Sequence, residues 1–292
     1  MGQPINHVVE VDLQGFFDTV SHEWMDKFLQ ERIVDPSFLL LIRRFMKAGY
    51  LDSGRLMSPE QGVPQGGNLS PILSNIFLHY VLDLWFEKRI KRRVRGACLL
   101  VRYADDFVCL MQYQEEAQQV EQALRERFTA FDLTLHPEKT RVISFGRYER
   151  ENAQRQQRRG HTFDFLGFTH FCGRSRRGKF MVGRRTSRKK FRQKVEALKA
   201  WLKQIRNTFP VKEWWPILAA KLRGHYPYYG VSGNMSSIRR FYGLAIRLAR
   251  KWLNRRSQRR SFSWEGFRAY LAHYPLPKPR IVHNLYTLSP VT

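Results

Sequence analysis

Residues 99–110 read LLVRYADDFVCL, and this stretch decides the fold. Apolar and β-branched residues on both sides favour extended chain. The polar break between them, Tyr103 to Asp106, has the length of a tight turn. Two short strands joined as a hairpin are expected, with Asp105 and Asp106 at the tip. Asp is common in turns, where its side chain can bond nearby backbone, so one aspartate there explains itself. Two adjacent carboxylates repel each other, and the pair needs a reason from elsewhere in the chain.

Upstream, HVVEVDL (7–13) alternates, with Val9, Val11 and Leu13 on one side and Val8, Glu10 and Asp12 on the other. That pattern predicts a strand with Asp12 near its exit. SHEWMDKFLQERI and DPSFLLLIRRFM then read as helices, the second with Phe38, Leu41, Ile42 and Phe45 on one stripe and Pro36 in its first turn. EQGVPQGGNLSPILSNIFLHYVLDLWFEKRI is a Gly-rich loop entering a strong helix, with Ser70 as N-cap and Pro71 at the first helical position. Leu73, Ile76, Phe77, Tyr80, Val81 and Leu84 form its expected buried face.

Past the hairpin, a helix from about Glu115 to Phe131 carries Ala117, Val120, Leu124, Phe128 and Phe131 at helical spacing. LTLHPEKTRVISF is extended, FDFLGFTHF is a further short strand, and the polar, basic run 147–160 reads as a loop. Strands and helices thus alternate with hairpins among them. The expected fold class is α+β with a mainly antiparallel sheet.

Beyond Ser187 the periodicity is helical: SRKKFRQKVEALKAWLKQI, VKEWWPILAAKLRGHYPYYG and SSIRRFYGLAIRLARKWLNRR, separated by Pro and Gly. A three-helix bundle is expected, and WEGFRAYLAHYPLPKPRIVHNLY adds a short helix and a Pro-rich tail. The domain reading is therefore 1–186, 187–260 and a basic extension 261–292.

Charge separates the two halves. The 292 residues carry a formal charge of +26, far beyond what solubility needs, which asks for a polyanionic partner. Residues 1–146 hold 17 Lys and Arg against 19 Asp and Glu, and residues 147–292 hold 34 against 6. A neutral catalytic half joined to a half that grips nucleic acid fits this asymmetry. Arg188, Lys189, Lys190 and Arg192 cluster around Phe191, a mixture suited to holding phosphates. The three cysteines, Cys98, Cys109 and Cys172, have no metal-site spacing and read as reduced thiols. No apolar run has the length of a membrane span, so no membrane partner is expected. Localisation is expected to be cytoplasmic, of bacterial type, with nucleoid association when acting on DNA.

If the strand ending at Asp12 neighbours the hairpin, Asp12, Asp105 and Asp106 meet at one sheet edge. Three carboxylates make a hard-oxygen site suited to Mg²⁺. Two such ions about 4 Å apart serve in-line phosphoryl transfer, which implies nucleotidyl transfer on a nucleic acid with no general-base histidine.

In order, VDLQGFFDTVSHEW, GVPQGGNLSPILSNIF, VRYADDFV, LHPEKTRVISFG and FDFLGF resemble the successive palm motifs of reverse transcriptases, most closely the group II intron reverse transcriptase/maturases. The resemblance implies a palm over 1–186, a helical thumb (maturase or X region) over 187–260, and an RNA-directed DNA polymerase extending a primer. The implied ligands are two Mg²⁺ ions and dNTPs, and the implied partners are intron RNA, an RNA template and a DNA primer. It makes Asp12, Asp105 and Asp106 the metal-binding and catalytic carboxylates, with the Leu13 backbone near a metal. Phe17 falls where the family places an aromatic ring that rejects a ribose 2′-hydroxyl, though the ring suits a core equally.

Gln65 and Gly66 match the loop against the nascent base pair, or a simple Gly-rich turn. Lys139 matches a lysine near the pyrophosphate, or a solvated lysine. Leu166 and Gly167 centre the primer grip, whose aromatics also suit a core. An RNA-binding maturase without polymerase activity, or a truncated relic, is the alternative. The fingers region that the family places before its first aspartate motif is expected to be absent, because Asp12 comes so early. No endonuclease domain is expected after the thumb.

Overall fold

The computed structural model describes residues 4–47, 50–52, 55–57, 62, 69–175, 177–256 and 262–285. In chain order the first elements are β1 (His7–Val11), α1 (Phe16–Thr19), α2 (His22–Gln30), α3 (Pro36–Lys47), β2 (Tyr50–Asp52), β3 (Arg55–Met57), α4 (Ser70–Leu78) and α5 (Lys91–Arg93). Then come β4 (Cys98–Tyr103), β5 (Asp106–Met111), α6 (Gln114–Thr129), β6 (Arg141–Ser144), α7 (Glu149–Arg155), β7 (Thr162–Phe165), β8 (Phe168–Arg174) and β9 (Phe180–Thr186). Four helices follow: α8 (Arg188–Ile205), α9 (Val211–Tyr229), α10 (Met235–Leu253) and α11 (Trp264–His273).

The fold is α+β. Its main sheet has the order β4-β5-β1-β6, and all three pairings are antiparallel. The chain divides into two compact units, one of Met1–Leu166 with Cys172–Met181 and one of Gly167–Phe171 with Val182–Thr292.

In the first unit, α6 lies against β1, β5 and β6. It buries Ala117, Val120, Leu124 and Phe128, the face its periodicity predicts. Phe77, Phe86, Phe107 and Met111 complete one core with Met25 of α2. Strand β1 is central, with Val8 and Val9 fully buried. Val9 and Val11 face the main core, and Val8 on the opposite side is covered as well, while Glu10 and Asp12 on that side stay partly exposed.

Several local expectations need correction. The buried face of α3 is Leu39, Ile42 and Met46, while Phe38, Leu41 and Phe45 are about half exposed; of the expected stripe only Ile42 is inside. The helix holds apolar residues nearly all round, so periodicity alone does not choose a face. Leu69, not Ser70, is the N-cap of α4, with Pro71 in its first turn.

Beyond Leu78 the helix continues through two π-helical stretches, His79–Asp83 and Phe86–Ile90. Of the expected face Leu73, Phe77 and Val81 are buried and Ile76, Tyr80 and Leu84 only partly so; the looser winding adds Leu78, Leu82, Phe86 and Ile90 to it, at a spacing of four.

The polar run 147–160 contains α7 rather than only loop. Its Glu149 side chain is fully buried, 2.6 Å from Arg158 and 3.1 Å from His161, and it accepts the His161 backbone N–H at 2.8 Å. Burial pushes the Glu149 carboxyl up, but these partners outweigh it and hold the pKa below the usual value. The stretch FDFLGFTHF is not one strand. Leu166 (φ 49°) and Gly167 (φ 77°) form a two-residue turn between β7 and β8, as hairpin turns with positive φ at both central positions do.

In the second unit α8, α9 and α10 bury Leu198, Leu202, Trp214, Leu218, Leu222, Ala245 and Trp252. Phe267 of α11 sits fully buried in the same core. The Pro-rich tail straps back along α9: Trp215 Nε1 donates to the Tyr274 carbonyl at 3.2 Å and Tyr226 Oη to that of Pro277 at 2.7 Å.

Candidate functional site

The register of β1 against β5 pairs Val11 with Phe107. Asp12 is the next residue after Val11 and Asp106 the one before Phe107, so one further step of the antiparallel ladder sets Asp12 opposite Asp106. The hairpin is as tight as expected: Tyr103 pairs with Asp106, leaving Ala104 and Asp105 as the turn. Ala104 has φ 54°, a left-handed conformation costly for any residue with a Cβ.

Arg102, next to the turn, holds it from behind. Its guanidinium forks onto Asp83 at 2.7 and 2.5 Å, and Nη1 donates to Asn75 Oδ1 at 2.8 Å and to the Ala104 carbonyl at 3.0 Å. Bidentate pairing of this kind fixes orientation as well as distance. Arg102, Asp83 and Asn75 were not singled out from the sequence, because a lone Arg in a strand and two polar residues on a helix carry no motif.

Past β1 the chain stays paired. The His136 N–H donates to the Asp12 carbonyl at 2.8 Å, Gln14 N–H to the Thr134 carbonyl at 2.9 Å, and Leu13 bridges Leu135. This run delivers Lys139, whose Nζ lies 2.7 Å from Asp12 Oδ2. Phe17 on α1 is partly buried, its ring 5.5 Å from Phe16. Gly62 approaches the same helix: a Cβ on it would come within 2.7 Å of the Phe17 carbonyl oxygen, and its N–H donates to the Val20 carbonyl at 2.8 Å. Only glycine tolerates that approach at φ 90°. Gln65 and Gly66 lie outside the described residues.

For divalent metal, the donor set is chemically right. Asp12 and Asp106 are hard-oxygen ligands brought to one end of neighbouring strands, Asp105 is adjacent, and the Lys139 ammonium stands as a cation on Asp12. Among the described residues, no three His, Cys, Asp or Glu side chains converge as a closed metal cluster.

The second unit carries a separate basic surface. Arg188, Lys189, Lys190 and Arg192 are all exposed on the first turns of α8, which Ser187 caps by accepting the Lys190 N–H. A cavity of about 730 Å³ there is lined by Arg185, Arg188, Arg192 and Arg240 with Phe191, and the Arg240 guanidinium lies 5.1 Å from the Phe191 ring centre. Gly167 faces this helix, with Lys190 Cγ, Tyr229 Oη and Tyr228 Oη at 3.6–3.8 Å from where a Cβ would stand. Leu166 and Gly167 are brought together as a turn, Gly167 beside Lys190.

Residues 2–170 match the family model of the reverse transcriptase (RNA-dependent DNA polymerase). The chain belongs to the reverse transcriptase family. Among curated relatives, protein YkfC of Escherichia coli is 31% identical over 231 residues, 68% of this chain and 56% of YkfC. A putative COX1/OXI3 intron 1 protein of Saccharomyces cerevisiae is 41% identical over 92 residues, 31% of this chain and 11% of its own length.

The group II intron-encoded protein LtrA of Lactococcus lactis is 42% identical over 80 residues, 26% of this chain and 13% of LtrA. Over about a quarter to a third of its length the chain is thus similar to intron-encoded proteins, one of them a group II intron-encoded protein. The match spans about half the length of YkfC and about a tenth of the two intron proteins. Among solved structures, apo telomerase from Candida tropicalis truncated from its C-terminal domain superposes with a TM-score of 0.42 at 16% identity, over 57% of this chain and 34% of that one.

Proposed function

We propose that this chain is an RNA-directed DNA polymerase of the group II intron type, extending a primer on an RNA template. The observation that carries the reading is the β1–β5 register, which runs Asp12 and the Asp105–Asp106 tip to one end of adjacent strands. In this reading residues 1–186 are the palm, 187–260 the thumb and 261–292 a basic extension.

Asp12, Asp105 and Asp106 would hold two Mg²⁺ ions. When bound, the ions supply activation of the primer 3′-hydroxyl and neutralisation of the triphosphate. Lys139, whose Nζ lies 2.7 Å from Asp12 Oδ2, would face the pyrophosphate. Phe17 stands beside the incoming sugar and excludes a 2′-hydroxyl by bulk, and the Leu13 backbone lines the same floor. Gln65 and Gly66 pack against the nascent pair. Leu166 and Gly167 turn toward the primer, while Arg188, Lys189, Lys190 and Arg192 hold phosphates of template, primer or intron RNA.

A second reading, an RNA-binding maturase, is favoured by the basic face of α8, which needs no catalysis to hold RNA. The test is primer extension on an RNA template with Mg²⁺ and dNTPs, the wild type beside Asp105→Ala/Asp106→Ala. Extension should vanish in the variant while RNA affinity is kept or slightly raised, since negative charge is removed. Tight RNA binding with no extension by the wild type would leave the maturase reading, and loss of binding in the variant would make the aspartates structural.

A further inference from the structure

The segment LRGHYPYYG belongs to none of the roles above. It forms the C-terminal half of α9 and, with α8 and Phe241 of α10, walls a cavity of about 420 Å³. The volume is that of a small-ligand pocket. Trp201 and Tyr228 supply ring surface, Tyr228 being more than half exposed. Lys194 and Lys221 also line it, and Lys221 Nζ lies 4.8 Å from the Trp201 ring centre. Neither lysine has a carboxylate partner among the described residues.

Two details set this cavity apart from an ordinary gap between helices. Gly224 lies inside α9, where glycine is among the poorest helix formers. A Cβ there would meet nothing within 4 Å, so close packing within the chain does not require the glycine. What the missing side chain does is leave the slot open.

The second detail is His225. Its ring is sandwiched between Phe241 at 4.1 Å and Tyr229 at 4.6 Å. Burial, with the Lys194 charge adding to it, brings its pKa down to about 4. The imidazole is therefore neutral near pH 7, with one ring donor and one acceptor. Neither is spent on a hydrogen bond among the described residues. A flat apolar slot, an unspent donor and acceptor and two ammonium groups match one chemistry: a planar heterocycle attached to a phosphate.

We infer that this slot binds an unstacked base of single-stranded RNA, stacked on Trp201 or Tyr228 and edge-on to His225, with the flanking phosphate held by Lys194 and Lys221. The inference rests on the nucleic-acid reading above and adds a subsite to it. The occupant is RNA rather than a free nucleotide because residues 147–292 hold 34 basic against 6 acidic residues, a surplus that a polyanion satisfies and a single phosphate does not.

Photocrosslinking of an oligouridylate containing one thiouridine to the full chain, with adducts mapped by mass spectrometry, tests it. Wild type should give adducts on Trp201, His225 or Tyr228. Gly224→Leu fills the slot while improving helix propensity, so it should keep or raise the thermal midpoint and lose those adducts. Trp201→Ala with Tyr228→Ala should weaken oligouridylate binding roughly tenfold, the usual scale for losing a base stack.

Adducts confined to 188–192, in equal yield with and without Gly224→Leu, would overturn the inference. So would competition by uridine monophosphate as strong as by the oligonucleotide, which marks a free-nucleotide site. Primer extension by the same preparation separates the two ideas: extension without slot adducts sinks only the slot, and slot adducts without extension sink only the polymerase.

Discussion

At the scale of single residues, the hairpin that carries Asp105 and Asp106 is held in an unfavourable state. Ala104 sits at φ 54°, where a Cβ costs about 1–2 kcal/mol, and the Arg102 fork on Asp83 and the Ala104 carbonyl keeps it there. Such strain at a tip that presents two carboxylates has the character of preorganisation. Ala104→Gly should therefore relieve the backbone, leaving stability unchanged or raised by up to ~1 kcal/mol, yet lower the extension rate because the tip gains freedom. Thermal melts beside steady-state extension check this. A variant both less stable and fully active would contradict it. The aspartates stood out in the sequence only in combination, because an Asp pair in a turn is ordinary by itself and gained weight from Asp12 at the end of another expected strand and from the order of the motifs. Arg102 did not, since its meaning lies in Asp83 and Asn75, which are 19 and 27 residues away.

Among the elements, the junction of β9, α9 and α10 depends on one fully buried amide. Asn234 Oδ1 accepts the Thr186 N–H at 2.8 Å, and Nδ2 donates to Thr186 Oγ1 at 2.9 Å and to the Tyr229 carbonyl at 2.8 Å. Asn234→Ala strands buried donors and acceptors and should cost about 3 kcal/mol. Asn234→Asp should fare little better, because an ionised carboxylate cannot donate to Tyr229. Amide exchange at Thr186, at the C-terminal end of α9 and at the start of α10 reads this directly, and protection unchanged in Asn234→Ala would show the amide to be dispensable.

Periodicity placed α6 and the three long helices, where one face is apolar and the other charged. It misjudged α3, which is apolar nearly all round, and the helix after α4, whose π-helical turns change the period itself. It also left out α7, a short polar helix held by tertiary partners of Glu149 rather than by a stripe.

For the whole molecule, the dominant fact is the basic surplus in the second half. Most of the exposed cations on α8 lack carboxylate partners; Lys199, paired with Glu196, is the exception among the described residues. Arg188→Ala/Lys189→Ala/Lys190→Ala should flatten the dependence of log affinity on log salt by up to about 2, given a slope of about 0.7 per phosphate on single strands. Titration of an RNA oligonucleotide at several salt concentrations measures it, and an unchanged slope would place the RNA on another surface.

What the sequence determined by itself was chemistry and alternation: the carboxylates, the Gly-rich loop, the charge asymmetry and the order of strands and helices, because each is written in neighbouring residues. The β1–β5 register that brings Asp12 and Asp106 to one end of adjacent strands, the ammonium of Lys139 on Asp12, the Arg102 clamp, the Asn234 hub and the slot at Gly224 came only with the tertiary structure. Each depends on which distant segments share a sheet edge or a helix face, and that is set by the burial of whole surfaces rather than by local pattern.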